Sequence, residues 1–235
     1  MLTTHKGTLG SLLLSTIVIG CLLAMISVPV EAGSLTITVG NNPYGVAYDA
    51  ANGDVYVANA SSNTVSVIDG STNAVTSTIN VGIDPYGAAY DAANGDVYIT
   101  NALSSTVSVI DGSTNAVTST INIGASPDGV AYDAANGDVY VADYSPSAIS
   151  VIDGSTNAVT GTISLGNTPY AVAVDAANGD IYATNSDSGA VSVIVSTVPP
   201  ITASSVGPGT TVGSTEITAA PNTPGDTFAV EISST

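Results

Sequence analysis

The sequence contains a unit of 42 residues that recurs along most of the chain without insertion or deletion. Each unit begins with the string Asp-(Val/Ile)-Tyr, at Asp54, Asp96, Asp138 and Asp180. Residues 54–95 and 96–137 agree at 33 of 42 positions. A fixed period of about 40–45 residues is typical of either a β-propeller blade or a helical array. The alternation of residues inside the unit decides between these two folds.

Apolar residues inside one unit recur at every second position, as they do in strands. Val75, Ile79 and Val81 alternate with threonine and asparagine, and β-branched residues dominate these runs. The turns Ala-Ala-Asn-Gly and Asp-Gly-Ser-Thr-Asn separate the runs and supply Gly and Asn where the backbone needs positive φ. No stretch inside the repeats offers helical spacing with caps. The sequence therefore predicts an all-β fold in which each unit forms four strands, a to d. In the second unit these strands are predicted at about Gly87–Asp91, Val97–Asn101, Thr106–Asp111 and Val117–Ile123.

The two ends of the repeat array predict how the blades are completed. Ser34–Gly40 aligns with strand d, since Ile37 and Gly40 precede Ile79 and Gly82 by one period. The last unit supplies strands a, b and c before the chain reaches Pro199-Pro200. The sequence thus predicts a four-bladed β-propeller over residues 34–196. Two alternatives remain: a ring closed by the N-terminal strand, or an open arc that pairs with another chain.

The predicted b strands carry a recognisable tetrapeptide, Tyr56-Val-Ala-Asn59, Tyr98-Ile-Thr-Asn101, Tyr140-Val-Ala-Asp143 and Tyr182-Ala-Thr-Asn185. With the flanking strands it resembles the YVTN-repeat β-propeller family, found in archaeal surface-layer-type and other secreted proteins. The resemblance implies a structural or binding module of the cell envelope, whose partners are envelope proteins, glycans or another copy of itself. The chain departs from the family in having four blades where about seven are usual.

The N-terminal segment 1–32 predicts export. His5 and Lys6 precede an apolar run, and Val30-Glu31-Ala32 resembles a cleavage site, so a signal peptide is the first interpretation. A lipid anchor at Cys21 and an uncleaved membrane span are the two alternatives. All three place the propeller outside the cytoplasm, as a secreted or cell-surface protein.

Composition restricts the chemistry of the exported chain. Without residues 1–32 the chain has no His, Lys, Arg or Cys, and it keeps 18 of 19 acidic residues because Glu31 is lost. Electrostatic binding of nucleic acid is excluded, since it needs Lys or Arg. Ser or Cys triads, Schiff bases and His or Cys metal sites are excluded as well. We therefore predict that the protein is not an enzyme. The alternative is a lactonase-like propeller hydrolase that holds a metal on carboxylate and Asn ligands.

Comparison of the repeats with one another predicts a binding face. All nine differences between residues 54–95 and 96–137 lie around the b–c and d–a loops, which leave the same side of a propeller. Exposed aromatic residues on loops commonly anchor carbohydrate or protein partners. The predicted ligand-binding residues are Tyr44, Tyr86, Asp128, Tyr144 and Tyr170. The alternative is that this side drifted after duplication while turn chemistry preserved the other side.

The preserved side is rich in aspartate and predicts a second candidate site. The turn Asp-Ala-Ala-Asn-Gly-Asp groups hard oxygen donors around a glycine, as calcium loops do. The candidate metal ligands are Asp49, Asp54, Asp91, Asp96, Asp133, Asp138, Asp175 and Asp180. The alternative is that Asp and Asn simply form the tight turn. The sequence predicts no other cofactor.

Residues 197–235 change in composition and are rich in Thr, Ser, Pro and Gly. Thr215–Ala219 and Thr227–Ser233 are possible strands. About 40 residues are too few for an independent core. The segment is therefore predicted to be a C-terminal extension or a fragment of a larger β-sandwich domain.

Overall fold

The computed structural model describes residues 34–195. The predicted leader 1–32, including Cys21, and the predicted extension 197–235 lie outside the described residues. The chain divides into two compact units, Met1–Thr38 and Val39–Thr235, and every strand described below belongs to the second unit. No helix among residues 34–195 is both long enough and apolar enough to cross a membrane.

The four repeats form four antiparallel sheets, and the predicted four-bladed β-propeller is confirmed. Within each sheet the strands follow one another in chain order. Blade 1 contains β1 Pro43–Tyr48, β2 Asp54–Asn59, β3 Thr64–Asp69 and β4 Ala74–Asn80. Blade 2 contains β5 Pro85–Tyr90, β6 Asp96–Asn101, β7 Thr106–Asp111 and β8 Ala116–Asn122. Blade 3 contains β9 Ala125–Tyr132, β10 Asp138–Ser145, β11 Ala148–Asp153 and β12 Ala158–Ser164. Blade 4 contains β13 Pro169–Val174, β14 Ile181–Asn185 and β15 Ala190–Ile194.

The turns hold the strands in the predicted register. In blade 1, Asn73 has a φ of 57° and Gly53 a φ of 83°, so both turns use the residues that tolerate positive φ. The amide of Gly70 donates to the carbonyl of Gly53, which ties the c–d turn to the a–b turn on one side of the blade. On the other side, the amide of Ala60 donates to the carbonyl of Asn42. The b–c and d–a loops therefore share one side, as the comparison of the repeats predicts.

The apolar core lies between blades rather than inside them. We call the surface of a blade that packs against the following blade its outgoing face, and the surface that receives the preceding blade its incoming face. Between blades 1 and 2, Tyr56, Val65 and Val67 of the outgoing face pack on Val97 and Ile99 of the incoming face. Equivalent clusters join blades 2 and 3 and blades 3 and 4. Burial of these β-branched side chains is the main stabilising term.

The b-strand tyrosines of blades 1 and 2 also make a polar contact across the junction to the following blade. The Tyr56 hydroxyl donates to Oδ1 of Asn115 at 2.7 Å and lies 3.2 Å from the carbonyl oxygen of Gly112. Tyr98 repeats both contacts, with Gly154 at 3.3 Å and Asn157 at 2.7 Å. The Tyr56 hydroxyl is buried in this junction, and its burial raises the pKa of Tyr56 to about 12. We refer to these contacts as the inter-blade tyrosine bonds.

The last residue of the same tetrapeptide acts within its own blade. Nδ2 of Asn101, which is fully buried, donates to Ser108 Oγ at 3.0 Å and so ties strand b to strand c. Asn59 and Asn185 make the same bond to Ser66 and Ser192. Blade 3 has Asp143 at this position, and there Ser150 Oγ donates to Asp143 Oδ2 at 2.5 Å. The repeated Tyr and Asn thus have separate structural tasks, between blades and within them.

The ends of the array do not agree with the predicted alternative in which the N-terminal strand closes the ring. Residues 34–39 form no strand, and the sheet of blade 4 has three strands in the described part of the chain. The predicted closing strand Ser34–Gly40 is therefore wrong for this structure. The alignment with strand d identified an apolar alternation, but alternation alone does not supply a pairing partner. Blades 4 and 1 also differ from the three packed pairs, because Tyr182 and Val193 of blade 4 and Val46 and Tyr48 of blade 1 are exposed.

Candidate functional site

The first strand of each blade begins next to a cavity that all four blades share. In blades 1, 2 and 4 this strand starts with Pro-Tyr, which places Tyr44, Tyr86 and Tyr170 at equivalent points. A cavity of about 310 Å³ is lined by β1, β5, β9 and β13. Its lining consists of these three tyrosines together with glycine, alanine and valine. The a strands are therefore innermost, as their small residues predict.

In β1, β5 and β9, a glycine two residues after the proline lets the blades converge. A Cβ built on Gly87 would lie 2.5 Å from the carbonyl oxygen of Asp128 in blade 3. A Cβ on Gly129 would lie 2.7 Å from Cα of Ala171 in blade 4. Both distances are too short for real carbon atoms, so only glycine allows such close approach of two backbones. This convergence brings the tyrosines within reach of one another.

The three tyrosines form one aromatic cluster. The rings of Tyr44 and Tyr86 are stacked, with centroids 4.4 Å apart and an interplanar angle of 25°. Tyr170 meets Tyr86 edge-on, with centroids 5.6 Å apart, and their hydroxyl groups are hydrogen-bonded to each other. Tyr44 and Tyr170 are exposed, whereas Tyr86 between them is half-buried. The cluster thus presents two accessible rings on a third that is held in place.

The other two predicted ligand-binding residues lie apart from this cluster. Asp128 occupies the tyrosine position of blade 3 but is buried, and it does not line the cavity. Burial, with a smaller contribution from the Asp84 carboxylate, raises the pKa of Asp128 to about 6. Tyr144 lies near the end of β10, is exposed, and does not line the cavity either. The structure therefore gathers three of the five predicted residues into one site.

The aspartates of the preserved side are held by hydrogen bonds of the turns. Oδ1 of Asp49 accepts the amide of Ala51 at 2.8 Å. Burial and the nearby Asp49 carboxylate together raise the pKa of Tyr90 in the next blade. Asp91 and Asp133 repeat the turn contact. Among residues 34–195 there is no group of three or more acidic, His or Cys side chains placed to hold a metal ion. Calcium binding at these turns stays a prediction.

The calcium hypothesis has a direct thermal test. Because Asp49, Asp91 and Asp133 already accept hydrogen bonds from their own turns, we expect only general screening of the acidic side by added salt. The melting temperature should then be equal in calcium chloride and in sodium chloride of matched ionic strength. A calcium-specific rise that a chelator reverses would instead establish dedicated sites.

Comparison with known proteins gives the family. The family model of the YNCE-like beta-propeller matches residues 21–202, which is most of the chain. The chain belongs to the YNCE-like beta-propeller family. A solved structure, the hydrazine synthase of Kuenenia stuttgartiensis, matches this YNCE-like propeller with a TM-score of 0.62 and 24% identity. The match covers 69% of this chain and 48% of that one, so the chain spans about half the length of that protein. At this identity the likeness shows the fold alone. No curated protein matches the sequence.

Sequence reasoning missed the residues that assemble the site. Thr100 Oγ1 accepts the amide of Gly87 at 2.7 Å and donates to the carbonyl of Asp128 at 2.6 Å, so it joins two a strands. Thr100 was visible as one of the nine differences between repeats, but its role depends on contacts between blades. Gly45, Gly87 and Gly129 recur at the period of 42 residues, and this recurrence was the available signal.

Proposed function

We propose that this YNCE-like propeller is a secreted or cell-surface binding module of the cell envelope that holds a neutral glycan at the tyrosine cluster. The observation that carries the proposal is the convergence of Tyr44, Tyr86 and Tyr170 at one cavity. Two exposed rings beside a third offer flat apolar surfaces with hydroxyl groups at their edges. Such surfaces suit the apolar faces and hydroxyl groups of a sugar.

The charge of the chain favours a neutral ligand over an anionic one. The formal net charge is −18, and the described residues 34–195 contain no Lys, Arg or His. An acidic glycan or a phosphate would meet repulsion here without a cation to receive it. The envelope location rests on the export segment and on the resemblance to YVTN-repeat proteins of the archaeal surface-layer type.

The lining of the cavity favours binding over hydrolysis. A hydrolase of the lactonase-like kind would need carboxylate and Asn ligands facing the cavity, where a metal could activate water. Tyrosine, glycine, alanine and valine occupy those places instead. We therefore propose a module that binds its ligand without covalent chemistry, in contact with envelope proteins or glycans.

Calorimetric titration with a panel of neutral hexose and N-acetylhexosamine oligosaccharides tests this function. We expect binding by the wild-type protein, and a loss of affinity of about tenfold for Tyr44→Ala and for Tyr170→Ala. Tyr144→Ala is the matched control, because Tyr144 is also exposed but lies outside the cavity. Equal binding by Tyr170→Ala and wild type would contradict the proposed site. Absence of binding to every oligosaccharide of the panel would contradict the ligand class.

A further inference from the structure

The outgoing face of blade 4 is uncovered in the described structure. It consists of Tyr182 on β14 and Val191 and Val193 on β15. Tyr182 is 38% exposed, whereas the equivalent Tyr56 and Tyr98 are 0% exposed. Val193 is 49% exposed, and its equivalents Val67 and Val109 are fully buried against the next blade. This face repeats strands b and c of the earlier outgoing faces, without a described strand d to supply the equivalent of Ile79, and it has no described neighbour of that kind.

The incoming face of blade 1 is uncovered in the same way. On β1 it carries Val46 and Tyr48, which are 63% and 59% exposed. On β2 it carries Val55 and Val57, which are half-buried, whereas their equivalents Val97 and Ile99 are fully buried. The equivalent tyrosines of blades 2 and 3, Tyr90 and Tyr132, are half-buried, and burial together with the nearby carboxylates of Asp49 and Asp91 in the preceding blade raises the pKa of their hydroxyl groups. The burial and the nearby carboxylate that these tyrosines gain from a preceding blade are both missing at Tyr48.

The polar groups of an inter-blade junction are complete on these two faces. Blade 4 supplies Asn178 and Tyr182, which repeat the donors Asn94 and Tyr98. The corresponding acceptors in blade 1 are Gly70 and Asn73, and both are exposed. Blade 1 also supplies the Tyr48 hydroxyl, for which Asp175 of blade 4 is the corresponding carboxylate by the same repeat. The acceptors Gly112 and Gly154 of the internal junctions are buried, so Gly70 lacks a cover that its equivalents have.

We propose that blade 4 of one copy packs on blade 1 of a second copy, so that two copies form one ring of eight blades. A two-fold axis along the centre of the ring would satisfy both junctions at once and leave neither face free. A second copy is the occupant that fits, because the two faces together carry the donors and acceptors of the polar junction that the chain forms twice internally, between blades 1 and 2 and between blades 2 and 3. This inference goes beyond the proposed function and does not depend on it.

One residue makes the junction between copies different from the internal ones. Blade 4 has Ala171 where blades 1 to 3 have Gly45, Gly87 and Gly129. At the internal spacing the Cβ of Ala171 would collide with the partner's β1 backbone, as a Cβ on Gly87 would collide with β9. The a strands of the two copies must therefore lie farther apart than those within a chain. Tyr48, Tyr182 and Val193 then carry most of the contact.

Sedimentation equilibrium of the full chain tests the proposal. We expect a particle of two copies, with a dissociation constant that Tyr48→Ala raises by roughly 30-fold per junction and roughly 1,000-fold over both junctions. Val193→Asp should have a similar or larger effect, because it places a carboxylate in the apolar contact. Both residues are exposed in the single chain, so neither change should unfold it, and circular dichroism melts verify this.

Matched controls separate this face from the rest of the surface. Tyr144→Ala and Val117→Asp alter exposed residues on β10 and on the outer strand β8, and the dimer should persist in both variants. A particle of one copy at micromolar concentration would overturn the proposal. A dimer that neither Tyr48→Ala nor Val193→Asp weakens would overturn it too, and so would open polymers of many copies. Glycan titration of the same samples keeps the test of the proposed function separate.

Discussion

Gly87→Ala should destabilise the protein strongly, although replacing a glycine in a strand by alanine usually stabilises a protein. In most strands the change from glycine to alanine stabilises by about 0.4–1 kcal/mol, because it restricts the unfolded chain. At Gly87 the new Cβ would lie 2.5 Å from the carbonyl oxygen of Asp128 and 3.0 Å from Thr100 Oγ1. Backbone of the neighbouring blade cannot yield as a flexible side chain can. Blade 3 would have to move away from blade 2.

The expected cost of Gly87→Ala is about 3 kcal/mol, at the upper end of what overpacking usually costs. For a domain of this size, such a loss lowers the melting temperature by roughly 6–12 °C. Thermal unfolding followed by circular dichroism measures it. The aromatic cluster should also loosen, since the same shift separates Tyr86 from its neighbours, and fluorescence of the tyrosines would report the change.

Gly161→Ala is the matched control for this change. Gly161 lies in the outer strand β12, and a Cβ built there meets nothing within 4 Å. The same chemical substitution should therefore leave the melting temperature unchanged or raise it slightly. If Gly87→Ala has the same melting temperature as Gly161→Ala and wild type, the a strands are not in backbone contact. The cavity that they line is then wider than described.

Local patterns in the sequence were sufficient to predict the strands of each blade. The predicted bounds in blade 2 differ from the observed ones by at most two residues, as at Gly87 against Pro85. Alternation of apolar residues and the chemistry of the turns are both local properties, so they can be recognised in a single repeat. The side of the blade that carries the variable loops follows from the same information.

Contacts between blades could not be predicted in this way. The bond from Tyr56 to Asn115 joins residues 59 apart in sequence, and its existence depends on the rotation between neighbouring blades. Asp128 is a second example of a location that the repeat did not predict. It occupies the same position in the repeat as Tyr44 and Tyr86, but it is buried and does not line the cavity. The repeated glycines and the exception at Ala171 are the sequence features that indicate how closely neighbouring a strands approach. They can be interpreted only once the arrangement of the blades is known.

The buried carboxylate of Asp143 is the one departure from the repeat that should cost stability. Asn59, Asn101 and Asn185 occupy this position in the other blades, and each donates an Nδ2 hydrogen to a serine hydroxyl. Asp143 has no such hydrogen to donate and is fully buried. Its Oδ1 has no hydrogen-bond partner, as in the three asparagines, but in Asp143 that oxygen belongs to a carboxylate. Burial therefore raises the pKa of Asp143 to about 6, while the Ser150 hydroxyl opposes that shift only in part.

Asp143→Asn should consequently stabilise the protein at neutral pH and have little effect in acid. The pKa of Asp143 is higher in the folded chain, at about 6, than its ordinary value of 3.8, so folding is favoured while this group is protonated. That advantage is lost as the pH rises from about 4 through 6, which amounts to about 3 kcal/mol at pH 7. Asparagine avoids the loss and can donate an Nδ2 hydrogen to the Ser150 hydroxyl, as Asn101 does to Ser108. The melting temperature should rise by roughly 6–12 °C at pH 7, and the gain should shrink towards zero near pH 4.

The reverse change in blade 2, Asn101→Asp, provides the matched control, because Asn101 is also fully buried and has Ser108 where Asp143 has Ser150. It should lower the melting temperature at pH 7 and recover most of the loss near pH 4. Asp128 also has a raised pKa of about 6 and titrates in both variants and in wild type, so only the difference from wild type isolates the substituted position. A pH profile of Asp143→Asn that runs parallel to wild type between pH 4 and 7 would mean that Asp143 reaches water. In that case the charge it carries would not weaken blade 3.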